Sequence, residues 1–264
     1  MENNTDISLN GVALQILSVS RDTILVNLRF LEVGLFKLSF TSADIPFMTD
    51  GVRLMYDPAY IIHSYKKEKE QIPSLLLHSL LHCIFRHFYV SRDLNRTYWN
   101  LACDIAVEAI ICSMELSCVD INKRRAQMEY ISSLNEVVPS LTAERIYDFL
   151  CKHPPEMDLL TYLKDLFKED VHDIWYANEM NIGGGSDTAD MNTSSDQSED
   201  NDSSNYSKSA KDTGSSNGHN ANPSAMDIAK EWKDISESIQ TDMQTISKKH
   251  SSNAGIMSQQ LREL

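Results

Sequence analysis

The sequence is short of positive charge. It has 24 lysines and arginines against 38 aspartates and glutamates, which gives a formal net charge of −14. Nucleic-acid-binding proteins usually carry a basic patch, and the triplet Lys123-Arg124-Arg125 is too short to form one. We therefore expect no nucleic-acid partner.

Three further features are missing. The chain has no run of about 18 uncharged apolar residues, so we expect no membrane span or membrane partner. Its first ten residues lack a basic segment followed by an apolar one, so we expect no secretory signal. The cysteines do not form paired CxxC motifs, and we expect reduced thiols in a cytoplasmic protein. The five cysteines are Cys83, Cys103, Cys112, Cys118 and Cys151.

Apolar residues make up 42% of the chain, enough for a hydrophobic core. Their spacing predicts a mainly α protein (α+β) with a small β-hairpin or short sheet. Asp50-Gly51 between two apolar runs is a hairpin signal, and Asp57-Pro58 is typical of a helix start. We predict helices over 58–67, 73–90, 96–116, 143–153 and 157–167, preceded by two helices within 7–40 that break near residues 20–22.

The composition divides the chain into three parts. Residues 1–182 form the predicted folded domain. Residues 183–225 are rich in Ser, Asn, Asp and Gly, and such a tract cannot offset its ordering entropy by burial, so we predict a disordered linker. Residues 226–264 have the periodicity of an amphipathic helix. This tail should either pack on the first domain or lead into a further C-terminal domain.

The segment from Pro73 to Val90 contains three histidines among leucines. Residues four apart on a helix lie on the same face, so His78 and His82 can both bind one metal ion. A spacing of this kind also arises by chance, and a buried histidine is often bonded to a backbone carbonyl. Two imidazoles on one apolar face are harder to satisfy in that way, which favours metal binding.

The third ligand has two candidates. His87 lies about 140° around an unbroken helix from His82, so it can join only if the helix ends near 84–86. Asp104 lies on the next predicted helix, one turn before Glu108, where an unpartnered carboxylate among apolar residues would be costly. The alternative for Asp104 is an exposed position at the edge of that helix.

These residues resemble a known family. The chain over roughly residues 5–180 is similar to the bacterial zincin-like metallopeptidase domain that precedes a von Willebrand A-like domain. That family has a TDG turn, then HExLHxxxxH, then a helix beginning W-N-x-A-x-D. Here the matching residues are Thr49-Asp50-Gly51, then His78, His82 and His87, then Trp99, Asn100, Ala102 and Asp104, and more weakly the VHDIW segment at 171–175. The resemblance implies zinc, a protein or peptide substrate, and association with a MoxR-type AAA ATPase.

The sequence departs from the family pattern at three positions. Ser79 stands where the family has the glutamate that serves as general base, and serine cannot take that role near neutral pH. Arg86 replaces a small residue before the third histidine. Glu108 replaces an asparagine and is a candidate for a displaced base. His172, between acidic residues, is a candidate group beside the metal rather than on it.

Three functions are therefore open. The first is a zinc metallopeptidase-like domain whose activity is weak or absent because Ser79 replaces the base. The second is a non-catalytic, metal-stabilised scaffold that works with a von Willebrand A-like domain and a MoxR-type ATPase. The third is a helical adaptor without metal.

Overall fold

A computed structural model describes residues 2–88, 94–177 and 225–249. In these residues the protein is mainly α, as predicted, with ten α-helices and one three-stranded sheet. The predicted linker at 183–225 lies outside the described residues except for its last residue, as does the tail beyond Lys249. The helices are α1 (Glu2–Asn27), α2 (Glu32–Lys37), α3 (Pro58–Lys67), α4 (Gln71–Ile84), α5 (Arg96–Met114), α6 (Arg124–Asn135), α7 (Ala143–Lys152), α8 (Met157–Phe167), α9 (Asp173–Ala177) and α10 (Ala225–Lys249).

The predicted helix break near residues 20–22 is wrong. Helix α1 continues to Asn27, and the chain first leaves helical geometry at Leu28, with φ −131° and ψ 61°. Neither proline nor glycine stands at 20–22, so nothing there interrupts the backbone hydrogen bonds. Ser20 is buried, and the Arg21 guanidinium lies 4.5 Å from the centre of the Phe36 ring. Tertiary contacts therefore accommodate Ser20 and Arg21, two of the polar residues that suggested a break, within the helix.

The sheet contains the predicted hairpin. Strand β1 (Ser39–Ser42) pairs in parallel with β3 (Arg53–Tyr56), which pairs antiparallel with β2 (Phe47–Thr49). Gly51 takes a positive φ of 83° at the turn, a conformation that favours glycine. The Asp50 carboxylate accepts hydrogen bonds from the backbone N–H groups of Val52 and Arg53 at 2.9 and 2.6 Å, which fixes the turn.

Helix α4 forms the centre of the molecule. Every residue from Ile72 to Ile84 is buried. One hydrophobic cluster covers it from the side of α1, the sheet and α10, and a second cluster lies among α5, α7 and α8. The polar side chains Ser74, His78, Ser79 and His82 on this helix have polar partners. Among the described helices, none has the length and hydropathy that crossing a membrane requires.

The tail helix α10 packs against the first part of the chain. Trp232 is fully buried, and its indole N–H donates to the carbonyl oxygen of Gly51 at 2.7 Å. The Ser236 hydroxyl donates to the carbonyl oxygen of Ile84 at 2.6 Å, at the end of α4. The tail thus covers both the hairpin turn and the last turn of the histidine helix.

Candidate metal centre

The two helix histidines face each other as the four-residue spacing predicts. His78 and His82 are both fully buried on α4, and their Nε2 atoms lie 2.8 Å apart. Asp104 reaches the same point from α5. Its Oδ1 atom lies 3.5 Å from the Nε2 of His78 and 3.4 Å from that of His82. The buried position of Asp104 excludes the exposed helix-edge alternative.

A third segment completes the cluster. The loop between α8 and α9 is held at the sheet edge, where the Val171 N–H donates to the carbonyl oxygen of Phe47 at 3.0 Å. The residues on either side, Asp170 and His172, point into the site, and their Oδ1 and Nε2 atoms lie 2.7 Å apart. The ligand atoms of His78, His82, Asp104, Asp170 and His172 all lie within 4.8 Å of one another.

The distances from Asp104 to two of the imidazoles fit a metal ion, whereas the Nε2 atoms of His78 and His82, 2.8 Å apart, lie closer together than two ligands of one ion. Donors about 2.0–2.1 Å from a tetrahedral zinc ion are separated from each other by about 3.3–3.4 Å. Asp104 Oδ1 lies 3.4 Å from His82 Nε2 and 3.3 Å from His172 Nε2. Imidazole nitrogens and carboxylate oxygens are the donors that divalent zinc accepts.

Unsatisfied polar atoms at the same point support this fit. Among the described side chains, Asp104 Oδ1, Asp170 Oδ1 and His172 Nε2 are buried without a hydrogen bond of acceptable geometry, although His172 and Asp170 approach closely. Buried polar atoms without partners are costly and rare in folded proteins. Three of them aimed at one point indicate a cation.

Glu108 orients the first histidine. The Nδ1–H group of His78 donates to Glu108 Oε1 at 2.7 Å, so Nε2 is the atom that His78 directs toward the cluster. The other carboxylate oxygen of Glu108 pairs with the buried Arg124 guanidinium. Arg124 is fixed in turn by Ser74, Val119 and Gln127. The contacts of Glu108 are therefore on the side of the His78 ring that faces away from the donor cluster.

His87 contacts the outer nitrogen of His82. Helix α4 ends at Ile84, so the predicted end at residue 90 is wrong, while the early end is what a role for His87 required; Arg86 takes a left-handed φ of 56°. This turn brings the Nδ1 of His87 to 2.9 Å from the Nδ1 of His82. Within the described residues His87 lies outside the five-residue donor group. Its contact can fix the His82 tautomer that presents Nε2 to the cluster.

Ser79 occupies the position where the family has a glutamate, and it contacts the donor cluster only through Asp170. Its hydroxyl donates to Asp170 Oδ2 at 2.7 Å. The other oxygen of Asp170 faces the donor cluster. A carboxylate, that of Asp170, therefore lies near the position where the family has its glutamate. It comes from a segment 91 residues away in sequence.

The histidines carry unequal charge. Burial alone lowers the pKa of His78, but its contacts with Asp104 and Glu108 raise that pKa well above its usual 6.5. Burial lowers the pKa of His82 well below the usual value, and the charge of His78 lowers it further. Burial also lowers the pKa of His87, to about 3. Without a metal, a proton resides on His78, while His82 and His87 remain neutral.

The two carboxylates also differ. Burial raises the pKa of Asp104, and the nearby histidines offset this only in part. Burial acts in the same direction on Asp170, but the close approach of His172, the charge of His78 and the hydrogen bond from Ser79 lower its pKa to about 2. Negative charge at the site is therefore most stable on Asp170.

The site opens into a cavity of about 460 Å³. Asp104 and His172 lie on its wall, together with residues from the start of α5, from α8 and from α9. The His172 ring stacks on Trp175, with ring centres 3.7 Å apart, and this contact fixes the imidazole beside the opening.

Sequence reasoning found four of the five clustered donors and missed Asp170. Three of the four, His78, His82 and Asp104, are the predicted ligands, and His172 is the residue predicted beside them. Asp170 has one weak signal in the sequence: it stands two residues before His172, and alternate residues of an extended segment point the same way.

The comparisons with known proteins agree with this arrangement. No curated protein and no solved structure matches the chain significantly. A protein-family profile described as "Putative metallopeptidase domain" matches residues 28–264. This range includes every residue of the donor cluster and most of the chain, and the chain therefore belongs to that family.

Proposed function

We propose that this protein binds one zinc ion through His78, His82 and Asp104 and is a peptidase-type domain whose hydrolytic activity is weak or absent. The observation that carries the proposal is the convergence of five buried donor atoms within 4.8 Å of one another. Two imidazoles and one carboxylate form a three-ligand set that leaves a position open, as in catalytic zinc sites.

When bound, zinc supplies a Lewis acid that polarises a carbonyl group and acidifies water. Asp170 would then be the available proton acceptor, at Oδ1, because Ser79 holds only its Oδ2 atom, and its low pKa would make it a weak base. His172 lies between Asp170 and Asp104 and can donate a hydrogen bond to a developing oxyanion. Loss of a well-placed general base costs about 10²- to 10⁴-fold in rate, so we expect weak hydrolysis at most.

A second candidate function is a metal-stabilised scaffold. The observation that favours it is Ser79 itself, which fills the position of the base with a group that donates to Asp170. On this proposal the domain presents a von Willebrand A-like partner domain to a MoxR-type ATPase, as the family resemblance implies, and the metal only stabilises the fold.

The metal proposal is tested by elemental analysis of freshly purified protein. We expect one zinc per chain, and loss of that zinc in His78→Ala. His63→Ala is the matched control, because His63 is exposed and lies outside the donor cluster. Absence of stoichiometric metal, or equal metal content in both variants, would overturn the proposal.

Ser79→Glu separates the weakened enzyme from the scaffold. If the site is a disabled peptidase, this variant gains proteolysis that a chelator abolishes. If the variant binds zinc normally and still cleaves no peptide, the scaffold is the better description. Ser79→Ala is the control, because it removes the hydroxyl without adding a base.

A further inference from the structure

The cavity at the metal centre has a positively charged wall in a protein that is strongly negative overall. Arg96, Lys164 and Lys168 all line the same 460 Å³ cavity that reaches Asp104 and His172. The formal net charge of the chain is −14, so three cations around one opening depart from its general composition. The wall has one further acidic residue, Asp173.

The two lysines are available to a ligand. Lys164 and Lys168 lie one helical turn apart at the end of α8, so they share a face. Among the described residues, the lysines in ion pairs are Lys37, Lys69, Lys123 and Lys152. Both cavity lysines are exposed, and neither belongs to that set.

The opposite wall is held in a fixed shape. The Arg96 guanidinium lies over the Tyr176 ring, 4.3 Å from its centre, and the Tyr176 hydroxyl donates to the side-chain oxygen of Asn100. The cavity therefore has a fixed wall at Arg96 and two exposed lysines beside the metal centre.

We propose that this cavity binds a carboxylate of the substrate, next to the bond that lies at the metal. The inference rests on the proposed function and adds the substrate class: an acidic peptide, whose carboxylate comes from a side chain or from a free C-terminus. Charge-assisted hydrogen bonds of this kind contribute enough to change affinity by about tenfold or more.

The test uses the zinc-loaded full chain and short glycyl peptide hydroxamates, in which the hydroxamate binds the metal. Three probes are compared: one with a free C-terminus, one amidated with a glutamate side chain, and one amidated with a glutamine side chain. We expect at least one acidic probe to bind about tenfold more tightly than the neutral probe. Whichever acidic probe has the advantage identifies the source of the carboxylate.

The double variant Lys164→Ala/Lys168→Ala should lose most of this preference while its zinc content and its affinity for the neutral probe stay unchanged. Lys66→Ala/Lys67→Ala removes the same charge from exposed positions on α3 and should keep the preference. Higher ionic strength should reduce the preference, because exposed charges are screened.

The outcomes separate the two proposals. If zinc is bound and all three probes bind equally, or if the lysine variant keeps the preference, the carboxylate site is wrong and the metal site stands. If no zinc is bound, the metal proposal fails and the carboxylate site fails with it.

Discussion

At the scale of single residues, the site depends on which side-chain atom faces the cluster. Asp104 and Asp170 both lie in the donor group, but their other contacts differ. The Oδ1 atoms of both aspartates are buried and unsatisfied, but Asp170 also receives a hydrogen bond from Ser79 at its Oδ2 atom. We therefore propose that Asp104 binds the metal and that Asp170 takes part in proton transfer.

This assignment predicts different outcomes for two matched substitutions. Asp104→Asn should abolish stoichiometric zinc binding, because it removes a charged ligand. Asp170→Asn should keep zinc and remove any residual chelator-sensitive hydrolysis. Elemental analysis and a peptidase assay on both variants provide the measurement. Loss of zinc from Asp170→Asn would show that Asp170 is a ligand.

Glu108→Gln should weaken zinc binding without removing a ligand. The amide is a weaker acceptor for the His78 Nδ1–H group, and loss of such an orienting carboxylate typically lowers metal affinity about 10- to 100-fold. Competition with a chromophoric chelator measures this change. Glu129→Gln is the control, because Glu129 is an exposed residue on α6. Unchanged affinity in Glu108→Gln would contradict the orienting role.

Zinc binding should release a proton near neutral pH. His78 has a raised pKa in the metal-free protein, so it is still protonated above pH 6.5 and must lose that proton to bind metal. Apparent affinity should therefore rise with pH from below 6.5 to well above it. Calorimetry in buffers of different ionisation enthalpy counts the protons. A pH-independent affinity over pH 6–8 would contradict this description.

At the scale of helices and strands, α4 and α10 form one packed unit. Trp232 of α10 is among the largest fully buried side chains and bonds to the hairpin turn at Gly51. Ser236 bonds to the end of α4, just before the bend that turns His87 back toward His82. The tail helix thus supports the shape of the histidine segment.

Trp232→Ala should therefore destabilise the protein by about 3–5 kcal/mol, the usual cost of removing a buried tryptophan. Met226→Ala on the same helix is the control, because Met226 is 84% exposed and should change the free energy of unfolding by less than about 0.5 kcal/mol. Urea unfolding followed by far-UV circular dichroism measures both. Equal stability of the two variants would show that α10 does not pack on the core in solution.

At the scale of the whole molecule, the donor cluster joins three separate segments. His78 and His82 come from α4, Asp104 comes from α5, and Asp170 and His172 come from the loop after α8. The apolar residues of α4 belong to one hydrophobic cluster, whereas those of α5 contribute to both. A metal ion at this point would therefore connect α4, α5 and the loop after α8, which come from separate parts of the chain.

Removal of zinc should lower the stability of the whole fold in a single transition. A ligand that binds only the folded state stabilises it by about 2.7 kcal/mol at 100 times its Kd. Thermal unfolding with and without a chelator, followed at several wavelengths, tests this expectation. His78→Ala should show no response to the chelator. If the wild-type transition temperature does not change, the metal is not coupled to folding.

The helices, the hairpin and part of the site could be predicted from local patterns. Helix α8 spans Met157–Phe167 as predicted, because its periodicity and the prolines before it are local signals. The predicted break in α1 was wrong because Ser20 and Arg21 find partners that no local pattern shows. The ligand roles remain predictions, since proximity alone does not identify the metal.

The sequence by itself determined that His78 and His82 share one face and that Asp104 and Glu108 lie one turn apart, because helical periodicity depends only on residue spacing. Only the tertiary structure decided which residues surround these four side chains. It placed Asp170 against Ser79, turned His87 toward the outer nitrogen of His82, and set Lys164 and Lys168 at the opening of the cavity. These contacts join residues on different elements, and the packing of α4, α5 and the loop after α8 fixes them rather than any local preference of the chain.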